Sequence, residues 1–179
     1  RRLDRMQRRM VDRIVRDADV VADHQAVEEA ANLAASGLPI NSAGIIYAGQ
    51  DLSDAVSAAG ANSLLVLDGS GGDFSESDTT VLGTGQAVLG GGGTLAVVGR
   101  DTGTPVLFTA PGTRPQVTGT NSTNDVFQIA TNSSLTGLGI SGGKNGVYGD
   151  SVTGITLRDL HVSDADMDGF HLAGDISGT

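Results

Sequence analysis

The sequence contains no cysteine and no tryptophan, and aromatic residues make up only 3% of it. Without cysteine, disulfide bonds and thiol chemistry are excluded. A compact globular core normally draws much of its volume from aromatic side chains. Their scarcity therefore favours a thin interior that is filled by valine, isoleucine and leucine, as in a solenoid.

Basic residues are scarce outside the first 16 positions. Residues 1–16 hold seven Arg and two Asp, a net charge of +5, whereas the remainder holds four basic and 19 acidic residues, a net charge of −15. An acidic body argues against nucleic-acid binding, because that depends on Lys and Arg to neutralise phosphates. The arginine cluster predicts either a contact with an anionic or membrane-proximal surface or a solvated linker.

Long hydrophobic runs are also missing. No apolar run approaches the roughly 20 residues that a transmembrane helix needs. The chain shows no initiating Met and no signal peptide, and its last residues, Ile176–Thr179, fall in the middle of a repeat. These features predict an internal piece of a longer protein.

The strongest feature that the sequence does contain is a repeat with a period in the low twenties. Leu138–Ser141 recurs at Leu160–Ser163, a shift of 22 residues, and Gly146–Tyr148 recurs at Gly169–His171, a shift of 23. Fainter copies pair Gln116–Thr118 with Gly139–Ser141, Val126 with Val147, and Val66–Gly69 with Val88–Gly91. Short β-rich pieces that recur at this period between Gly, Asn, Ser and Asp residues indicate a solenoid.

Apolar residues alternate within each unit, as in Leu138 and Ile140, which places them on one face of a strand. A coil of about 22 residues has room for about three such strands and three turns. The sequence therefore predicts an all-β fold, a right-handed parallel β-helix with an N-terminal helical cap. A leucine-rich repeat has a similar period, but its fixed Leu/Asn pattern and helical segment are not visible here.

Three segments are predicted along the chain: an Arg-rich linker and helix at 1–43, a cap at 44–61, and coils from 62 to 179. Residues 1–22 fit a helix or a strand, and a helix candidate follows between Asp23 and Ser36.

The cap contains a short strand and a helix. The strand is predicted at Gly44–Tyr47 and the helix at Leu52–Ala59. Asp51 or Ser53 is expected to begin the helix and Gly60 to end it.

Residues 70–80 are polar and acidic and predict a loop that leaves the first coil. Gly90–Gly93 lacks the spacing of a phosphate-binding loop and predicts a tight corner where coils approach closely. After it, Thr94–Gly99 and Val106–Pro115 are predicted to continue the stack.

The order of helix, Ala59-Gly60 and apolar strand ending in Asp68-Gly69 resembles the entry to pectate-lyase-like β-helices, in which a short helix covers the open end of the solenoid. Together with the Arg-rich start and Phe108–Pro115, it is similar to bacterial cell-surface β-helix passengers that follow an outer-membrane β-barrel of the inverse-autotransporter kind. The resemblance covers most of residues 44–179. It implies a non-enzymatic structural or adhesive rod on the cell surface, attached to the outer membrane by a barrel in the same polypeptide. A glycan, a receptor or a copy of itself would be its partner.

Pectate-lyase-like folds also include enzymes, so the alternative function is a polysaccharide lyase or glycoside hydrolase. Of the Asn-Thr-Asp-Gly strand end of polygalacturonases, the chain matches only Asp168-Gly169. Arg158 is the only base near the acidic cluster that a lyase would use. General acid–base catalysis needs two correctly placed groups. No such pair stands out, so the catalytic coils of an enzyme are expected outside this segment.

The acidic cluster itself resembles a calcium-binding loop. Asp164, Asp166, Asp168 and Gly169 form the pattern D-x-D-x-D-G, and Asp175 stands at position 12. Such loops use oxygen ligands at alternate positions and a carboxylate at position 12. The flanking segments predict strands, however, whereas an EF-hand has helices. A calcium site formed by Asp164, Asp166, Asp168 and Asp175 and a solvated acidic turn are therefore both open.

Two histidines lie between inward-facing apolar neighbours. His161 precedes Val162, and His171 separates Phe170 from Leu172. Alternation predicts that both imidazoles point outward, either as ordinary surface groups or as part of a metal site.

Overall fold

A computed structural model describes residues 38–40, 42–99 and 103–179. The described chain is a parallel β-helix with about 23 residues per turn and 8% helix, which confirms the predicted fold class. The predictions for residues 1–22, and for a helix between Asp23 and Ser36, lie outside the described residues.

The described residues form one α-helix, which we call α1, and sixteen strands, which we number in chain order. Their bounds are β1 Leu38–Ile40, β2 Ser42–Tyr47, α1 Leu52–Ala59, β3 Ser63–Asp68, β4 Phe74–Glu76, β5 Thr80–Val81, β6 Ala87–Leu89, β7 Thr94–Gly99, β8 Pro105–Thr109, β9 Gln116–Gly119, β10 Phe127–Gln128, β11 Ser134–Thr136, β12 Gly139–Gly142, β13 Asn145–Asp150, β14 Thr156–Arg158, β15 His161–Ser163 and β16 Asp168–Ala173. A single 3₁₀ turn, Gly69–Gly71, follows β3.

Successive coils build three parallel sheets, with one strand per coil in each. Sheet I contains β2, β3, β6, β11 and β14; sheet II contains β4, β9, β12 and β15; and sheet III contains β5, β10, β13 and β16. Three strands per coil, without a helical segment in each, exclude the leucine-rich repeat.

The sequence repeat corresponds to the register of the sheets. Ile140 lies opposite Val162, and Val147 lies opposite Phe170, as the two strongest repeats predict. Val117 lies opposite Ile140, which confirms an earlier and fainter copy.

Two fainter pairings are wrong by one residue. Val66 lies opposite Leu89, and Phe127 rather than Val126 lies opposite Val147. The reason is that residues 63–67 of β3 are all buried, and Val126 and Phe127 are buried together. Where both faces are buried, the alternation that specifies the register is lost.

The interior of the solenoid consists of side-chain ladders that run from coil to coil. In sheet I the ladder is formed by Leu65, Val88, Leu135 and Leu157. In sheet II it is formed by Phe74, Val117, Ile140 and Val162. All but the last member of each ladder are at most 4% exposed. Full burial of one such side chain contributes about 1.5–3 kcal/mol.

The loop predicted at 70–80 is wrong in part, because β4 and the first residue of β5 lie within it. Phe74 and Glu76 are buried, whereas Ser75 between them is exposed. The alternation of a strand is therefore present, but a carboxylate occupies one inward position and makes the segment look like a loop.

The strands β7 and β8 do not continue the stack as predicted. They pair antiparallel with each other, and β7 also pairs with β1. This hairpin covers the outer face of sheet I, because Leu95 and Phe108 form a second apolar cluster with Leu64, Val66 and Leu89. The early strands of sheet I can therefore be apolar on both faces.

The glycine run is the close approach that the sequence predicts. A Cβ atom on Gly90 would lie 2.6 Å from Cδ of Pro115, and one on Gly93 would lie 2.8 Å from Cδ1 of Leu89. Gly92 has a φ of +77°, which residues other than glycine rarely adopt. Only glycines fit this corner, where the chain leaves β6 for the hairpin.

The helix α1 has the predicted bounds and covers the first coil. Asp51 is its N-cap, and the carboxylate accepts a hydrogen bond from Asp54 N–H at 2.9 Å. Leu52 and Val56 are fully buried and belong to the main core. The cap is therefore part of the same hydrophobic unit as the coils.

Candidate functional site

The outer face of sheet III carries one continuous row of exposed or half-exposed side chains. Val81, Gln128, Tyr148 and His171 occupy equivalent positions in β5, β10, β13 and β16 and lie opposite one another in register. We call this row the sheet III stripe. Thr80, Phe127 and Val147, which precede the first three of these residues, are fully buried, so alternation places the row on the outer face.

Two aromatic rings stack at one end of the stripe. The ring centroids of Tyr148 and His171 are 5.6 Å apart, and the ring planes make an angle of 15°. Neighbouring strands lie about 4.7–4.9 Å apart, so flat side chains at equivalent positions of adjacent coils stack on one another. The two stacked faces cover each other, so the pair presents a continuous row of ring edges to solvent.

A carboxylate fixes the imidazole of this pair. The distance from His171 Nδ1 to Asp168 Oδ2 is 2.7 Å, and the two side chains are 44% and 50% exposed. Asp168 is the first residue of β16. The hydrogen bond holds the imidazole against Tyr148 and leaves the Asp168 carboxylate in contact with solvent.

The buried amide of Asn145 forms hydrogen bonds that hold the start of β16 in place. Asn145 is 2% exposed, and its Nδ2 donates to Asp125 Oδ1 at 2.7 Å. Its Oδ1 accepts a hydrogen bond from Asp168 N–H at 3.2 Å. Sequence reasoning missed Asn145, although the 23-residue repeat aligns it with Asp168.

The residues of the predicted calcium loop are divided between two places. Asp164 and Asp166 lie in the turn that leads to Asp168, where Asp166 N–H donates to Gly143 O at 2.9 Å. Asp175 lies beyond β16, a six-residue strand that is about 20 Å long at roughly 3.3 Å per residue. The structure therefore does not bring Asp175 to the other three.

Within residues 38–40, 42–99 and 103–179, no group of three or more His, Cys, Asp or Glu side chains is placed to hold a metal ion. The two histidines lie in different sheets, since His161 is exposed on sheet II and His171 is on sheet III. Calcium binding by the acidic turn stays a prediction.

Sheet II adds a row of hydroxyl groups on its own outer face. Ser75, Thr118, Ser141 and Ser163 lie opposite one another in β4, β9, β12 and β15. Thr118 Oγ1 and Ser141 Oγ are 3.1 Å apart, and Gln116 Nε2 donates to Ser141 Oγ at 3.0 Å. Both outer faces near the C-terminal coils are therefore polar and ordered by register.

The base and acids considered for a lyase lie at different corners. Arg158 ends β14 in sheet I, whereas the acidic turn connects sheet II to sheet III. The neighbouring Asp159 forms an exposed ion pair with Arg114. The described residues thus do not assemble Arg158 with Asp164, Asp166 and Asp168.

Perturbed carboxyl groups occur at the cap. Burial raises the pKa of the Glu76 carboxyl, which is 4% exposed, although the N–H groups of Leu52 and Ser53 donate to it and oppose the shift. The Asp54 N–H and the Ser53 hydroxyl lower the pKa of Asp51. Both carboxylates lie at the positive N-terminus of α1, where Asp51 caps the helix and Glu76 attaches it to the first coil.

A second buried polar group joins the cap to the coils. Gln86 is 1% exposed, and its Nε2 donates to Val56 O at 2.8 Å and to Ser63 Oγ at 3.0 Å. Its Oε1 accepts from Gly83 N–H at 2.5 Å. Sequence reasoning missed both Glu76 and Gln86.

In the described part of the chain, no helix has the length and apolar character to cross a membrane. Comparison of the chain with protein-family models, with curated proteins and with solved structures finds no match.

Proposed function

We propose that this chain belongs to a non-enzymatic, extracellular β-helix rod that adheres to a glycan through its outer faces. The observation that carries the proposal is the stacked pair of Tyr148 and His171 in the sheet III stripe. The exposed ring edges offer an apolar contact to the C–H groups of a sugar ring, and a half-exposed carboxylate such as Asp168 accepts hydrogen bonds from sugar hydroxyls.

The regular spacing of the outer rows favours an extended polymer as the ligand. Equivalent side chains recur every coil, about 4.7–4.9 Å apart, which is comparable with one sugar unit of an extended polysaccharide. Gln128 continues the stripe beside Tyr148 and adds an amide that both donates and accepts. A polymer chain that runs along the solenoid axis would meet these groups in turn.

Display on a bacterial cell surface by an outer-membrane β-barrel in the same polypeptide belongs to this proposal. A protein receptor or a second copy of the chain is the alternative partner. The aromatic pair with its hydrogen-bonding carboxylate favours the glycan.

Binding of the chain to immobilised neutral, acidic and basic polysaccharides tests the adhesive function. Tyr148→Ala is expected to weaken binding by about fivefold or more, because removal of a central aromatic contact costs more than about 1 kcal/mol. The control is Thr84→Ala, which changes an exposed side chain at a different corner and is expected to leave binding unchanged.

Two outcomes would contradict the proposal. Equal binding by the Tyr148→Ala variant and the unmodified chain would exclude the stripe as the binding surface. Release of reducing sugars or unsaturated uronides from an acidic polysaccharide would favour the enzymatic alternative.

A further inference from the structure

Carboxylates border the stacked rings along both directions of the strands. Asp150 lies two residues after Tyr148 in β13, so alternation places it on the same outer face, where it is exposed. Its Oδ1 accepts a hydrogen bond from Ser151 Oγ at 2.9 Å. On the other side, Asp168 is half-exposed beside His171. A ligand on the rings therefore lies between two solvent-exposed carboxylates.

Basic side chains do not balance this charge. Residues 114–179 contain seven aspartates and three basic residues, Arg114, Lys144 and Arg158, and Arg114 is paired with Asp159. Arg158 lies on sheet I, away from the stripe. Lys144 lies in the turn next to the acidic one, where Lys144 O accepts from Met167 N–H at 2.8 Å. The local electrostatic potential at the stripe is therefore negative, which attracts cationic ligands and repels anionic ones.

We infer that the glycan bound by the stripe is an amino-sugar polymer with free ammonium groups. This inference rests on the proposed adhesive function and adds its charge class. An ammonium group offers three hydrogen-bond donors to Asp150 and Asp168. A uronate or sulfate group would instead meet two like charges. The rings supply an apolar contact that does not depend on the charge of the polymer. The carboxylates select that charge.

Titration of the 179-residue chain with sugar oligomers of one length tests the inference. The set contains fully deacetylated glucosamine oligomers, their N-acetylated forms and uronate oligomers. We expect the deacetylated form to bind most tightly and the uronate form most weakly. Asp150→Asn is expected to weaken binding of the deacetylated form by about two- to fivefold and to leave the acetylated form unchanged. Added salt is expected to reduce the same preference.

The matched control is Asp73→Asn, which removes an exposed carboxylate in the loop before β4. It is expected to change none of the affinities. Unchanged binding of the acetylated oligomer and an unchanged melting temperature would show that Asp150→Asn leaves the fold intact.

The outcomes separate this inference from the function on which it rests. Equal affinity for both glucosamine forms, lost in Tyr148→Ala, would overturn the charge selectivity and leave the adhesive function in place. Tighter binding of the uronate oligomer through Tyr148 would do the same. If no oligomer binds, the glycan-binding function itself fails.

Discussion

At the scale of single residues, one buried hydroxyl group is a weak point of the core. Thr80 is fully buried opposite Phe127, and its Oγ1 has no hydrogen-bond partner among the residues that the structure describes. An unsatisfied buried polar group costs about 1–3 kcal/mol. Thr80→Val keeps the shape and removes the hydroxyl, so we expect the free energy of unfolding to rise by about 1 kcal/mol in urea titrations.

Thr136→Val is the matched control for this substitution. Thr136 is equally buried, but its Oγ1 lies 3.3 Å from Ser134 Oγ. Removing a hydroxyl that has a partner is expected to leave stability unchanged or to lower it. A loss of stability in Thr80→Val would contradict the assignment of Thr80 as unsatisfied.

The buried carboxyl of Glu76 makes the stability of the cap depend on pH. Burial raises its pKa in the folded state, to which Asp51 and Asp78 also contribute by repulsion. The folded state therefore holds the proton more tightly than the unfolded state. The stabilising contribution of this group is complete below its unfolded pKa and is lost as the pH rises through its folded pKa.

Glu76→Gln removes this titration and keeps an oxygen that accepts from Leu52 N–H. The free energy of unfolding of the unmodified chain, minus that of the variant, is expected to fall as the pH rises from below the ordinary pKa of glutamate to neutrality. Urea unfolding across this range measures the difference. A difference that is constant or grows with pH would show that the carboxyl is not destabilised by burial.

Sequence reasoning at this scale found the residues whose role is local. Asp51 is a cap because of its position before the helix, and the bond to Asp54 spans three residues. Glu76 and Gln86 reach Leu52 and Val56 across 24 and 30 residues. Their burial depends on the docking of α1, so nothing in their neighbourhood in the sequence indicates it.

At the scale of elements, the hairpin of β7 and β8 is the main addition to the solenoid. Phe108 is 6% exposed and lies in the cluster that covers the outer face of sheet I. Phe108→Ala is expected to lower the free energy of unfolding by about 3 kcal/mol, because it removes a buried aromatic side chain and leaves a cavity. Phe170→Ala is the control, since Phe170 is 45% exposed and its loss is expected to cost clearly less.

The sequence predicts the two strands but not their pairing as a hairpin. Apolar alternation is the same in a strand of the parallel stack and in a strand of an antiparallel hairpin. The sequence does contain one signal for it. Leu64, Val66 and Leu89 are apolar on the face of sheet I that would otherwise meet solvent. The equivalent positions in later coils are Thr156 and Arg158, which marks where the cover ends.

At the scale of the whole molecule, the repeat in the sequence predicts the architecture. It predicts only part of the candidate site. The shift of 23 residues is enough to align Tyr148 with His171. It does not reveal that Asp168 bonds to His171, because that contact runs along one strand at its corner. The spacing of the calcium-loop pattern suggests a closed loop that ends at Asp175, whereas Asp168–Ala173 forms an extended strand before it.

A solenoid couples each coil mainly to its two neighbours, which predicts position-dependent effects of one substitution along a ladder. Leu135 is fully buried between Val88 and Leu157, whereas Leu157 is only partly buried in the last described coil. Leu135→Ala is expected to cost about 2–5 kcal/mol. Leu157→Ala is expected to cost clearly less, because fewer atoms surround the cavity.

Hydrogen exchange followed residue by residue distinguishes this coupling from uniform cooperativity. Leu135→Ala is expected to reduce amide protection in the coils on both sides of β11, because Val88 and Leu157 both lose their contacts with that side chain. Leu157→Ala is expected to reduce protection in β14, β15 and β16 and to leave β3 and β4 unchanged. Equal loss of protection throughout the described coils in both variants would mean that the rod unfolds as one unit, and that its end is as strongly coupled as its centre.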